Sequence, residues 1–222
     1  MKKLALLAAI GLMAASCGSG DRAAEATTGE AQNVENAASA TSVALDSGST
    51  VLWRGFKTYV QSDHFGSVNV QEGNFLVEGG KLVGGTITID MTSIHNEDIE
   101  DEGTRGYLEG HLKSQDFFFV DSFPTAVFEI VSVVDPTTEF KYSVVTGNLT
   151  MRGVTNSIEF PADIDVMEDG VKFIAPTFSI DRTKWGAKFH DRDDATIAES
   201  LKEDLIDHSI ELTIKVKATF EK

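Results

Sequence analysis

The chain has 222 residues, with 19 basic and 35 acidic side chains, a formal net charge of −16 and 1 cysteine. So acidic a chain disfavours nucleic acid and anionic headgroups as electrostatic partners. A lone cysteine excludes an intrachain disulfide.

Residues 1–3 read MKK and precede the apolar run LALLAAIGLMAA over residues 4–15. A basic start, an apolar stretch of about 7–15 residues and small residues before a cleavage point describe a secretory signal. The run is too short to span a bilayer, which takes about 20 residues. AASC, ending at Cys17, resembles the lipobox of bacterial lipoproteins, with Ala14 where Leu is usual. That resemblance implies an exported chain acylated (with palmitate-type chains) on Cys17 and held to a membrane by this N-terminal anchor. Several acyl chains hold stably where one is marginal. Loss of residues 1–16 removes two lysines and no acids, leaving 17 basic against 35 acidic residues, or −18. Residues 18–48 are rich in Ala, Ser, Thr, Gly and Glu, with no aromatic residue. They offer too little apolar surface to offset chain entropy, so a flexible tether is expected. The expected layout is a signal peptide over 1–16, a lipidated linker over 17–48 and one folded domain over 49–222.

Within that domain, apolar residues recur with period two, the mark of strands with one dry face. Ile87, Ile89 and Met91 alternate with Thr86, Thr88 and Asp90, and Ile210, Leu212, Ile214, Val216, Ala218 and Phe220 alternate with polar residues. Further strands are expected over 50–60, 66–78, 125–134, 141–153, 156–165 and 171–181. EGGK at 78–81, DPTTE at 135–139 and EDG at 168–170 supply turns. A helix is expected over 104–113, and a short helical turn over 201–206. Roughly eight antiparallel strands with one helical insertion predict an all-β fold, a closed barrel or a sandwich. Its inward faces, such as Phe128 and Ile130, Leu149 and Met151, Ile158 and Phe160, or Phe173 and Ala175, are apolar. Such an interior is either a plain core or a greasy pocket.

Catalytic signatures are missing. The five histidines (His64, His95, His111, His190 and His208) have no metal-pair spacing, and HExxH, GxSxG, P-loop and CxxC patterns are absent. Asp98, Glu100, Glu102, Gly103 and Glu109 fall on calcium-loop positions 1, 3, 5, 6 and 12. Glu where Asp or Asn is preferred, Arg105 at position 8 and a preceding strand argue against calcium. HDRDD over 190–194 reads as a solvated loop. Neither a metal nor a cofactor is expected, and Asn148 in NLT is read as a chance glycosylation match inside a strand.

The blocks DMTSIHNED, HLKSQDFFFVDSFPTAVFEI, GNLTMRGVTNSIEF and FSIDRTKWGAKF together resemble the YceI-like family of exported, polyisoprenoid-binding bacterial proteins. The resemblance spans residues 50–220. It rests on Asp116, Phe117 and Phe118 with Pro124 to Phe128, on Gly147, Leu149, Thr150, Gly153 and Thr155, and on Arg182, Trp185 and Gly186. Phe119 stands where the family often has Asp, and Leu108-Glu109 where it often has Arg-Asp.

What the resemblance implies is an extended lipocalin-like antiparallel barrel whose apolar tunnel holds a polyisoprenoid, a quinone or a similar amphiphile. The DFFF segment would turn over the barrel edge, with alternate rings entering the tunnel. Expected lipid contacts are Phe75, Ile89, Met91, Phe117, Phe118, Phe128, Met151, Phe160, Phe173, Phe178 and Trp185, large side chains on dry faces or on the matching turns. The expected function is a membrane-tethered lipid carrier without catalysis, on the periplasmic side or the cell surface. Gly18 after the cysteine favours the outer membrane by analogy, and barrel edges leave room for a homodimer. Two alternatives stay open: a structural or adhesive lipoprotein whose barrel is self-filled, and a hydrolase using His64 or His111.

Overall fold

The computed structural model describes residues 22–35, 38–196 and 199–220. The strands are β1 (Thr27–Glu30), β2 (Thr41–Ala44), β3 (Thr50–Lys57), β4 (Asp63–Glu78), β5 (Lys81–Asn96), β6 (Thr125–Val134), β7 (Ser143–Met151), β8 (Val154–Met167), β9 (Gly170–Asp181) and β10 (Ile206–Thr219). One α-helix, α1 (Glu102–Lys113), follows β5, and short 3-10 helices occupy Arg182–Trp185 and Glu199–Asp204. Strands β3 to β10 pair antiparallel in sequence order, with β10 returning to β3. The result is a closed eight-stranded barrel.

Closure is completed by the stretch ahead of residue 49, which corrects the expectation of a flexible linker there. Strand β2 pairs with residues 74–77 of β4, beyond the reach of β3, and Leu45 bridges to Ala218 of β10. β2 and β3 thus form one barrel strand, broken at residues 46–49. β1 pairs with residues 156–159 of β8, where β8 has parted from β9. Just before β1, Ala26 donates to the Ser179 carbonyl and Ser179 donates back to Ala24, filling the seam on the β9 side. Asn148 secures this strap by exchanging two hydrogen bonds with the Gln32 backbone at 2.9 and 2.7 Å. Asn148 is buried on β7 with its side-chain amide engaged by the strap, which closes it to a glycan. Among the described residues of the segment, Ala26 and Val43 are the buried apolar ones. Backbone pairing holds the strap, so the absence of large apolar residues misled composition.

From the β8–β9 turn to mid-barrel the interior is solid. The Phe75 and Phe173 rings lie 5.6 Å apart, Phe128 and Phe160 lie 5.4 Å apart, and Phe160 stacks on Phe178 at 4.4 Å. Gly147 is required there, because a Cβ would come within 2.3 Å of the Phe128 ring.

Candidate functional site

Toward the opposite end the same alternation supplies smaller side chains, and the barrel is hollow. Val51, Val68, Ile89, Met91, Met151 and Leu212 are among the residues that line a cavity of about 280 Å³. Helix α1 covers it: Leu108, His111 and Leu112 face the cavity, yet no residue of the helix is buried. Asp101 caps the helix by accepting from Thr104 N at 2.8 Å. Glu109 fastens it to β5, accepting from Asn96 N at 2.9 Å beside His95 Nδ1, also at 2.9 Å. The Leu108-Glu109 pair therefore has a role of its own, one residue facing inward and the other docking the lid.

Beyond α1 the three phenylalanines divide. The chain turns tightly over residues 115–122, and Phe119 has a φ of 50°. Consecutive rings therefore point the same way, and the expectation of alternate rings fails. Phe117 is buried, with its ring 5.3 Å from His111 and 5.8 Å from Phe189. Phe117 and its neighbour Phe118 both line the cavity. Phe119 lies outside, edge-on to Phe123 at 5.8 Å. The β7–β8 hairpin clasps this turn. Its two central residues, Arg152 and Gly153, have φ of 52° and 73°, as a two-residue primed turn requires. Arg152 donates to the Gln115 and Phe117 carbonyls. A side chain at position 153 would strike Phe123, within 2.8 Å.

The cavity brings together Ile89, Met91, Phe117, Phe118 and Met151 of the expected contacts. Phe75, Phe128, Phe160, Phe173 and Phe178, also expected to meet lipid, are not in its lining and pack ring against ring deeper in the barrel. Trp185 is also core: it is fully buried and donates to the Leu149 carbonyl at 2.9 Å. Sequence reasoning missed Val51, Trp53, Val68, Leu108, Leu112 and Arg182, all of which line the cavity. Alternation on β3 could have found Val51 and Trp53; position under a lid could not be read.

Polar groups gather at the rim. Asp98 accepts from His64 Nδ1 at 2.8 Å, from Phe65 N at 2.9 Å and from Asn96 Nδ2. Burial alone would raise its pKa, but these hydrogen bonds hold it below the ordinary carboxyl range. Glu109 behaves alike, burial being outweighed by the Asn96 hydrogen bond and the nearby His95. Asp98, Asp101 and Glu109 thus face separate partners. Among the described residues one trio of metal-type side chains converges, Asp191, Asp193 and His208, in the HDRDD loop and the start of β10. No described helix is long and apolar enough to cross a membrane. The residues 1–16 signal and Cys17 lie outside the described residues.

Comparison with known proteins follows the same blocks. The model of the YceI-like domain matches residues 27–218, a span that includes β1 and β2. A UPF0312 protein of Staphylococcus aureus is 39% identical over 88 residues, 37% of this chain and 47% of the relative. The chain therefore spans about half the length of that curated relative. Burkholderia cenocepacia BcnA shares the fold with a TM-score of 0.54 at 17% identity, over 77% of this chain and 96% of that one. A polyisoprenoid binding domain from Saccharophagus degradans gives 0.53 at 12% identity, over 80% and 98%. Campylobacter jejuni YceI gives 0.51 at 18%, over 76% and 92%. The family match covers nearly all of the described barrel, and the chain belongs to the YceI-like family.

Proposed function

We propose that the chain binds an isoprenoid, quinone or similar amphiphilic lipid between the α1 lid and the aromatic plug, without catalysis, as an exported lipoprotein anchored through Cys17. The observation that carries this reading is the apolar cavity of about 280 Å³ beneath a helix with no buried residue. The Saccharophagus relative is named for polyisoprenoid binding, which points in the same direction. Burying one methylene contributes about 0.8 kcal/mol, so a five-carbon isoprene unit contributes roughly 3–4 kcal/mol gross. Two or three such units offset much of the estimated 4–15 kcal/mol of association entropy. The volume lies at the lower edge of the roughly 300–1,000 Å³ that ligand pockets occupy. The cavity therefore suits a tail segment rather than a whole long polyprenol.

Binding alone is also what the side chains favour. His64 faces Asp98, and His111 packs edge-on against Phe117 and Phe189. The polar partners of the two rings among the described residues are carboxylates, Asp98 for His64 and Asp116 for His111. The test is to express residues 18–222 in a bacterial periplasm, purify without detergent and extract for mass spectrometry. A stoichiometric isoprenoid or quinone supports the reading and names the ligand. An empty protein that also refuses added quinones and polyprenols rejects it in favour of a self-filled barrel. Mass spectrometry of the full-length product for diacylglyceryl on Cys17 tests the anchor separately.

A further inference from the structure

Arg182 ends the β9 strand at the start of the Arg182–Trp185 helix, and it is 1% exposed. It is also part of the lining of the cavity, which is otherwise mainly apolar. A buried guanidinium is unfavourable unless its charge and its donors are met. Nε donates to the Asp207 carbonyl at 2.9 Å, Nη2 to the Ile206 carbonyl at 3.1 Å and Nη1 to the Ala187 carbonyl at 2.5 Å. A guanidinium has five N–H donors, so two have no acceptor among the described residues.

No carboxylate of the described residues offsets the charge at contact distance either. Asp207 turns its carboxylate to Arg192 at 3.5 Å and Arg22 at 3.7 Å. Asp191 faces His208, and Asp181 accepts from Thr183 N at 2.9 Å. Burial pushes the Arg182 pKa down, against the weaker pull of these more distant acids. The other basic side chains of the lining already face an acid: Lys57 with Asp204 at 3.1 Å, His64 with Asp98 at 2.8 Å and His111 with Asp116 at 3.8 Å. On its remaining side Arg182 meets the Phe117 ring, whose centroid is 5.5 Å from Cζ.

A buried cation with spare donors, opening on an apolar space, is what an anionic amphiphile needs. We propose that Arg182 receives the oxyanion head of the bound lipid, a carboxylate or a phosphate, while the tail fills the apolar cavity. This rests on the lipid-binding reading above and adds the chemistry of the head. Guanidinium forks suit such oxygens because two parallel N–H bonds match their geometry.

Three ligands with one tail separate the possibilities: farnesol, farnesoic acid and farnesyl monophosphate. Full-length protein, delipidated on a hydrophobic resin, is titrated with each. The two anions are expected to bind about 10- to 100-fold more tightly than farnesol, the range of hydrogen bonds to charged groups. Whichever anion binds more tightly identifies the head as carboxylate or phosphate. Arg182→Met should bring that ratio to about 1 with farnesol binding retained, and Lys172→Met, outside the lining and paired with Asp165 on the neighbouring strand, should leave it unchanged. If Arg182→Met does not fold, Arg182→Lys keeps the charge without the fork and should lower the ratio. Equal affinities for all three in the wild-type protein would overturn the assignment and leave the lipid reading standing. So would a ratio kept in the Arg182 variants. Binding of none of the three would overturn both.

Discussion

The two halves of the barrel share one pattern and differ in what fills it. Both alternate apolar and polar residues on antiparallel strands. In the plugged half, Phe75, Phe128, Phe160, Phe173 and Phe178 meet across the interior. In the open half, Val51, Val68, Ile89, Met91 and Met151 stop short, and α1 with the Phe117–Phe118 turn roofs the gap. Periodicity sets which face is dry. Side-chain size sets whether the dry face is a core or a container.

The largest expected effect breaks the plug. Phe160→Ala should lower stability by about 3–5 kcal/mol, read as a shift in denaturant midpoint. Its partners Phe128 and Phe178 lose their ring contact, whereas none of the three rings belongs to the cavity lining. The next effect fills the container. Ala126 is buried on the cavity wall, and Ala126→Leu should cut farnesol affinity about tenfold, the equivalent of roughly two displaced methylenes, with thermal stability equal or raised. If Phe160→Ala abolished uptake while Ala126→Leu left it intact, the assignment of the two halves would be reversed.

A smaller effect concerns the lid. Gly106 and Gly110 have open space where a Cβ would stand. Gly106→Ala and Gly110→Ala should each stabilise α1 by about 1 kcal/mol and slow release of bound lipid in stopped-flow exchange. The smallest is a pH effect. Asp98 and Glu109 have lowered pKa values when folded. A group of this kind adds stability above its unfolded pKa and loses it as pH falls through the folded one. Lid docking should hold at neutral pH and loosen as pH drops below about 4, seen as lower hydrogen-exchange protection of α1 at pH 3 than at pH 7. Equal protection would mean that Glu109 does not hold the helix.

Much of the fold was legible. The Ile214, Val216, Ala218 alternation and the turns EGGK and EDG gave the strands and their ends, because one-sided burial imposes period two. The strap over residues 22–48 was not, since it is held by backbone pairing and by Asn148 rather than by large apolar groups. A smaller part of the candidate site was legible. Ile89, Met91 and Met151 follow from alternation, and the family blocks flagged Phe117 and Phe118. Nothing local, however, distinguishes Phe128, which meets another ring, from Met91, which meets empty space. That depends on what lies opposite, a tertiary fact. The motif residue Gly153 and its neighbour Arg152 serve the turn that presents Phe117, a role visible only once the hairpin and the turn are side by side.

The central claim is that lipid enters the open half and not the plug. Residues 18–222 contain three methionines, Met91, Met151 and Met167, of which the first two line the cavity and the third lies exposed beside the β8–β9 turn. Methyl-13C-methionine NMR during a farnesol titration tests that claim directly. The account predicts saturable shifts of the Met91 and Met151 methyl signals with Met167 unmoved. Unmoved Met91 and Met151 signals at saturating farnesol, or a shift confined to Met167, would contradict it.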